Sequence, residues 1–286
     1  MLLALLACRK SESERPRLSR IAFAIDCEGT DQDIMTVESD GSRPEAVAPD
    51  PAYDEMPCWS PDGLSLVWAS DREKLRGLWE RKFDGAVERV NGAPWIDTSP
   101  SFSPDSRSIA FMSNRDGNYA IYVMTSDGRR PRRLTEEPAV DLWPAWSPDG
   151  KWIAFVSERA GSKDVFLMDP DGKNVKALTN DRAWDGRPAW SPDGKRIAWT
   201  SEREGKAAIF TMDPEGKDVK RLTPPDSECE DPSWSPDGRQ IVYVNIRYGL
   251  RELWVMKSDG TGHRQLASFT KPVHTPSWSP FLPGWK

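Results

Sequence analysis

The sequence predicts an all-β protein: a six-bladed β-propeller of four-stranded antiparallel blades, its ring closed by the C-terminal strand completing the N-terminal blade. Three observations predict it. A signature, Pro-x-Trp-Ser-Pro-Asp-Gly, recurs at 57–63, 144–150, 188–194 and 232–238, with Phe102 replacing Trp in 100–106 and a truncated copy at 276–280. Its aromatic positions, 59, 102, 146, 190, 234 and 278, are 43, 44, 44, 44 and 44 residues apart, the period of a propeller blade. No stretch longer than a few residues has helical periodicity.

One unit shows the four strands. After the signature strand Pro144 to Ser147 come Trp152 to Val156, Val165 to Met168 and Val175 to Leu178, short runs rich in β-branched and aromatic residues. Asp149-Gly150 and Asp171-Gly172 separate them, with Gly supplying the positive φ of a tight turn. The Pro two residues before each signature aromatic occurs in all six copies. Proline cannot donate to a ladder, so this strand is an edge, the innermost of its blade. Aromatics recur nine residues later (Trp68, Phe111, Phe155, Trp199, Tyr243) and twenty later (Trp79, Tyr122, Phe166, Phe210, Trp254); such recurrence predicts packing between sheets.

The ends predict closure. Ile21 to Ile25, Asp33 to Val37 and Glu45 to Val47 match the second, third and fourth strands of a blade without a signature strand before them. The missing strand is at Pro276 to Ser279, and pairing it with Ile21 to Ile25 removes the free edge of an open stack. Residues 20–286 are therefore read as one propeller. A net charge of −6 argues against a nucleic-acid surface, and no apolar run approaches the length of a membrane-spanning helix.

Residues Met1 to Cys8 resemble the end of a bacterial lipoprotein signal peptide, whose Leu-x-Ala-Cys box puts a lipid on the cysteine. That resemblance implies lipidation of Cys8, a tether over 9–19, and a periplasmic or extracellular location with an outer-membrane lipid anchor as the sole membrane contact. The alternative is an accidental match.

The loops of one face carry a second pattern. Arg72, Arg115, Arg159, Arg203 and Arg247 occupy one position of the loop between the second and third strands. Asp54, Asp97, Asp141 and Asp185 occupy one position five residues before the signature aromatic. Both positions lie on the same side of a meander, so a belt of Arg–carboxylate pairs around one mouth is expected. An Asp ring could also hold Ca²⁺, but five nearby Arg favour ion pairing. Cys27 stands at the Arg position and Cys229 at the Asp position of adjacent blades. They are either a disulfide replacing an ion pair, which implies an oxidising compartment, or two separate thiols.

Trp-Ser-Pro-Asp-Gly, the strands Ile153-Ala154-Phe155 and Ile197-Ala198-Trp199, and the blade ends Leu134-Thr135, Leu178-Thr179 and Leu222-Thr223 resemble the TolB-like propeller family over residues 20–280. The resemblance implies a cell-envelope protein whose propeller docks another protein; TolB itself works in the periplasm and has an α/β domain ahead of its propeller. Similar repeats also form the propellers of prolyl-oligopeptidase-type peptidases and tricorn proteases.

The residues argue against catalysis. No Gly-x-Ser-x-Gly elbow is present, and His263 and His274 are the two histidines. His263 falls in a third turn and reads as a solvated turn residue, while His274 falls at the belt-side mouth. Zinc-ligand spacings are absent, and no cofactor or metal is implied. What does not recur on the belt side is a set of candidate contacts: Trp95, Trp143 and Trp184 on consecutive crossover loops, with Met56, Arg187, Glu230, Asp231 and His274 on the same rim. Aromatic residues at such a mouth are the raw material of a binding hot spot. The expectation is a monomeric, non-enzymatic, secreted or lipid-anchored scaffold binding a protein or peptide at this mouth. The alternatives are a carbohydrate-binding propeller, with the Trp cluster stacking on a glycan, and a hydrolase or lyase using acidic residues near His274.

Overall fold

In the structure, a computed structural model, residues 19–27, 31–91, 94–136 and 138–282 are described. The expected lipidation site Cys8, the segment 1–8 and most of the tether lie outside them. The described residues form six four-stranded antiparallel sheets and no helix.

Each inner strand carries the signature: Asp54–Trp59, Asp97–Phe102, Asp141–Trp146, Asp185–Trp190, Glu228–Trp234 and Val273–Trp278. These lead blades 2 to 6 and blade 1 respectively, and each is the edge of its sheet, as its Pro requires. Val273–Trp278 pairs antiparallel with Arg20–Asp26, joining Ile21 to Trp278 and closing the ring. The outer strands shrink to two to four residues, as in Lys176–Ala177 and Arg264–Ala267. Short edges of this kind protect the rim of each blade from pairing with another chain.

The signature's chemistry is legible in its turn. The Ser147 hydroxyl donates to Asp149 Oδ1 (2.7 Å) and accepts from the Trp152 amide (2.9 Å). Gly150 takes φ 72° and its amide donates to the Ser147 carbonyl (3.0 Å). A side chain at Gly150 would also meet Pro104 of the neighbouring blade at 3.2 Å, and Gly194 sits on Pro148 in the same way. Signature Trp residues tie neighbouring blades together: the Trp190 indole donates to the Ala145 carbonyl (3.1 Å), and that of Trp234 to Ala189 (3.2 Å). The repeat is thus a device for joining a blade to its neighbour.

The core lies between sheets. Trp68, Phe111, Phe155, Trp199 and Tyr243 are buried and pair across strands with Trp79, Tyr122, Phe166, Phe210 and Trp254. The sequence assigned these recurring aromatics to packing, and that is where they are.

Candidate functional site

Six inner strands each contain a register shift three residues before the signature aromatic or beside it. The residues at that point are Met56, Ser99, Trp143, Arg187, Asp231 and Thr275, and all six have left-handed φ between 45° and 56°. The following Pro cannot donate a hydrogen bond, so the ladder skips there and the strand bulges. One backbone device is therefore repeated six times with six different side chains, which together ring one end of the central channel. Of the positions just before them, Glu55, Glu230 and His274 also line the mouth, while Leu142 is buried in the core.

Seven of the eight sequence-predicted contacts meet here. Met56, Trp143, Trp184, Arg187, Glu230, Asp231 and His274 line one cavity of about 360 Å³ at the mouth. Trp95 does not join them. It is 36% exposed and faces its own blade's Arg115, 5.9 Å from the guanidinium carbon.

The mouth has an aromatic side and a polar side. Trp143 and Trp184 meet edge to face, centroids 5.8 Å apart, over Gly186. Arg187 lies over the Trp143 ring at 4.6 Å, pairs with Asp231 (3.3 Å), and donates to the Met56 sulfur from the opposite side of the channel. Asp231 also accepts from the Thr275 amide (3.2 Å). On the polar side Arg76 holds Glu55 (2.8 Å) and Arg251 holds Glu230 (2.7 Å). Arg76 and Arg251 were missed in the sequence, although each stands three residues before its third-strand aromatic in the two blades that carry Glu four before the signature aromatic. His274 Nε2 lies 2.9 Å from Asp26 Oδ1, which also accepts from Gln32 (2.8 Å). Burial, with the Arg251 charge second, pulls the His274 pKa below its ordinary value, against the opposing pull of Asp26. Below this mouth the channel widens into a cavity of about 500 Å³ walled by signature Pro and Trp side chains.

The predicted belt forms in four blades. Arg72 pairs with Asp54 (2.8 Å), Arg115 with Asp97 (3.0 Å), Arg159 with Asp141 (3.2 Å) and Arg203 with Asp185 (2.9 Å). Each guanidinium also lies on its blade's cross-strand aromatic pair, 4.7–5.3 Å from the ring centroids, and each Nε donates to a Ser hydroxyl. Burial raises the Asp54 carboxyl to about 6, outweighing its bonds to Ser70 and Arg72. The belt carboxylates are held by Arg, and no cluster of metal-binding side chains occurs among the described residues.

Two expectations, for Arg247 and His263, are corrected, and of the two alternatives for Cys27 and Cys229 the separate thiols hold. Arg247 has no carboxylate partner in the belt, because each pair forms within one blade and the residue in the Asp position of its blade is Cys229. For the same reason Cys27 and Cys229 are not bonded: the partner position of Cys27 is Val273, not Cys229. Cys27 Sγ instead lies 3.1 Å from Asp33, while Cys229 Sγ contacts Ser227 and Asn245; both are free thiols. His263 is no solvated turn residue, since its Nδ1 is 3.0 Å from the Tyr243 hydroxyl and its Nε2 is 2.9 Å from the Gly260 carbonyl.

Six four-stranded blades, closed through Val273–Trp278 around an irregular, aromatic-and-acidic mouth, define a six-bladed β-propeller. The chain belongs to the TolB beta propeller domain family, whose profile matches residues 80–282. Among solved structures it is similar to TolB from Acinetobacter baumannii, at 28% identity and TM-score 0.82, the match covering 92% of this chain and 67% of that one. It is also similar to a protein of Agrobacterium tumefaciens described as TolB, at 26% identity and TM-score 0.74, covering 91% of each. A puromycin-hydrolysing peptidase of Mycobacterium tuberculosis, at 16% identity and TM-score 0.63 over 86% of this chain and 45% of that one, shares the fold alone. No curated protein matches the sequence.

Proposed function

We propose that this chain is a non-catalytic periplasmic scaffold that docks a segment of a protein partner at the mouth lined by the inner-strand bulges and the crossover into blade 5. One observation carries the reading: six like bulges present six different side chains to the central channel, five of them at its mouth. Residues that only hold a repeat together recur with it, as the signature and the belt do. A ring that varies at every step on a constant backbone is suited to recognising an asymmetric ligand. Membership in the TolB propeller family supports a protein as that ligand and the periplasm as its location. Within the mouth, the Trp143–Trp184 pair supplies the apolar anchor, and Arg187, Glu230 and Asp231 supply orientation.

The mouth favours docking over turnover. His274 is engaged by Asp26, and the acids nearest it are paired with arginines. The test is capture from a detergent extract of the native envelope with residues 11–286, beside a Trp143→Ala/Trp184→Ala variant and a Trp95→Ala control. A partner held by the wild type and by Trp95→Ala, and lost by the double variant with the ring still folded, supports the reading. Equal capture by all three removes the mouth from consideration.

A further inference from the structure

Blade 6 departs from the repeat at one place outside the mouth. In blades 2 to 5 the belt Arg is seated on an aromatic pair, a Ser hydroxyl and an Asp. Blade 6 keeps the Arg and the aromatic pair as Arg247, Tyr243 and Trp254, but puts Cys229 in the Asp position and Asn245 in the Ser position. Its second and third strands also run on to the pair Arg247 and Leu250, closed by a two-residue turn in which Tyr248 and Gly249 take φ 51° and 78°, the pattern of a type I′ hairpin. Arg247 is left exposed. Its contacts are with rings, 5.6 Å to Trp254 and 5.9 Å to Tyr248. A cavity of about 590 Å³ opens between blades 5 and 6, lined by the very positions that seat the guanidinium elsewhere.

The polar groups of this cavity include donors without acceptors. Asn245 is 6% exposed; its Oδ1 lies 3.7 Å from the Cys229 sulfur, and its amide nitrogen has no partner among the described residues. Arg247 and, from blade 5, the exposed Lys206 complete a set of donors with no salt bridge among the described residues. Burial pushes the Cys229 thiol up to about 11, so the floor beneath Arg247 is neutral where the other blades have a carboxylate. Asp226 and Glu228 line the same cavity and would repel a multiply charged anion. Trp254 offers a flat apolar wall.

We propose that this cavity is a second binding site, separate from the mouth, for a small planar aromatic monocarboxylate whose carboxylate meets Arg247 and the Asn245 amide and whose ring lies against Trp254. The probe is benzoate, titrated into the whole chain by calorimetry, with benzamide as its uncharged counterpart. Two variants accompany it. Cys229→Asp/Asn245→Ser rebuilds the seat of the other blades and draws Arg247 into it, and Arg247→Ala removes the cation from an exposed position. Saturable benzoate binding, at least tenfold weaker for benzamide and for either variant, is the expected result. No saturable binding, equal binding of benzamide, or benzoate binding that survives in both variants overturns the proposal. Should the rebuilt blade not fold, Arg247→Ala decides the question alone.

Discussion

Trp143, from the bulge in the inner strand of blade 4, and Trp184, from the crossover into blade 5, meet edge to face with their planes at 74°, over Gly186. A Cβ at Gly186 would stand 2.6 Å from Trp184 and 3.0 Å from Trp143. The pair therefore depends on the absence of a side chain at one position of an inner strand.

Gly186→Ala is expected to push the two indoles apart while the ring stays closed. Overpacking of this kind costs about 1–3 kcal/mol. Near-ultraviolet circular dichroism should change while the far-ultraviolet spectrum holds, and an unchanged aromatic signal would show that the pair does not rest on Gly186.

The belt pairs predict a large, asymmetric stability effect. Asp141 is fully buried against Arg159. Asp141→Ala leaves that guanidinium over the aromatic pair without its carboxylate, at a cost of about 3 kcal/mol or more. Asp141→Ala combined with Arg159→Met should cost less than Asp141→Ala alone, as read from urea unfolding midpoints.

His274 predicts a pH dependence of definite sign. Its folded pKa lies below the ordinary value, so folding favours the neutral ring. The stability from that preference is fully present above about 6.5, the unfolded value, and is lost as pH falls through the lower folded value. Thermal unfolding of wild type and His274→Asn between pH 7.5 and 5 should diverge, with the wild type losing more on acidification. A parallel loss in both would rule His274 out as the source.

Ring closure predicts loss of the whole fold from one strand. Removing residues 273–286 deletes Val273–Trp278, the partner of Arg20–Asp26, and exposes the edge of that strand. The truncated chain is expected to lose cooperative unfolding and to aggregate. A sharp thermal transition near that of the full chain would show that the blades stand without closure.

The repeat was legible because it is written in local chemistry. Ser147, Asp149 and Gly150 make their turn with each other, and the Pro before Trp146 fixes an edge strand wherever it occurs. The belt was legible in four blades for the same reason, since Asp and Arg 18 residues apart face one another across a single hairpin pair. Cys27 and Cys229 misled because alignment by repeat position puts them opposite each other, while the contact forms inside a blade. Trp95 was grouped with Trp143 and Trp184 by loop type, and it points to its own Arg115 instead.

The sequence by itself determined the propeller, the number of blades, the closing strand and the face on which the variable residues lie, because each follows from residue type and spacing within one 44-residue unit. Only the tertiary structure decided which of those residues meet. Arg187 finds Met56, 131 residues away, across the channel; His274 finds Asp26, 248 residues away, across the ring closure. Those contacts depend on the angle through which each blade turns from the last, a sum over six interfaces that no local pattern encodes.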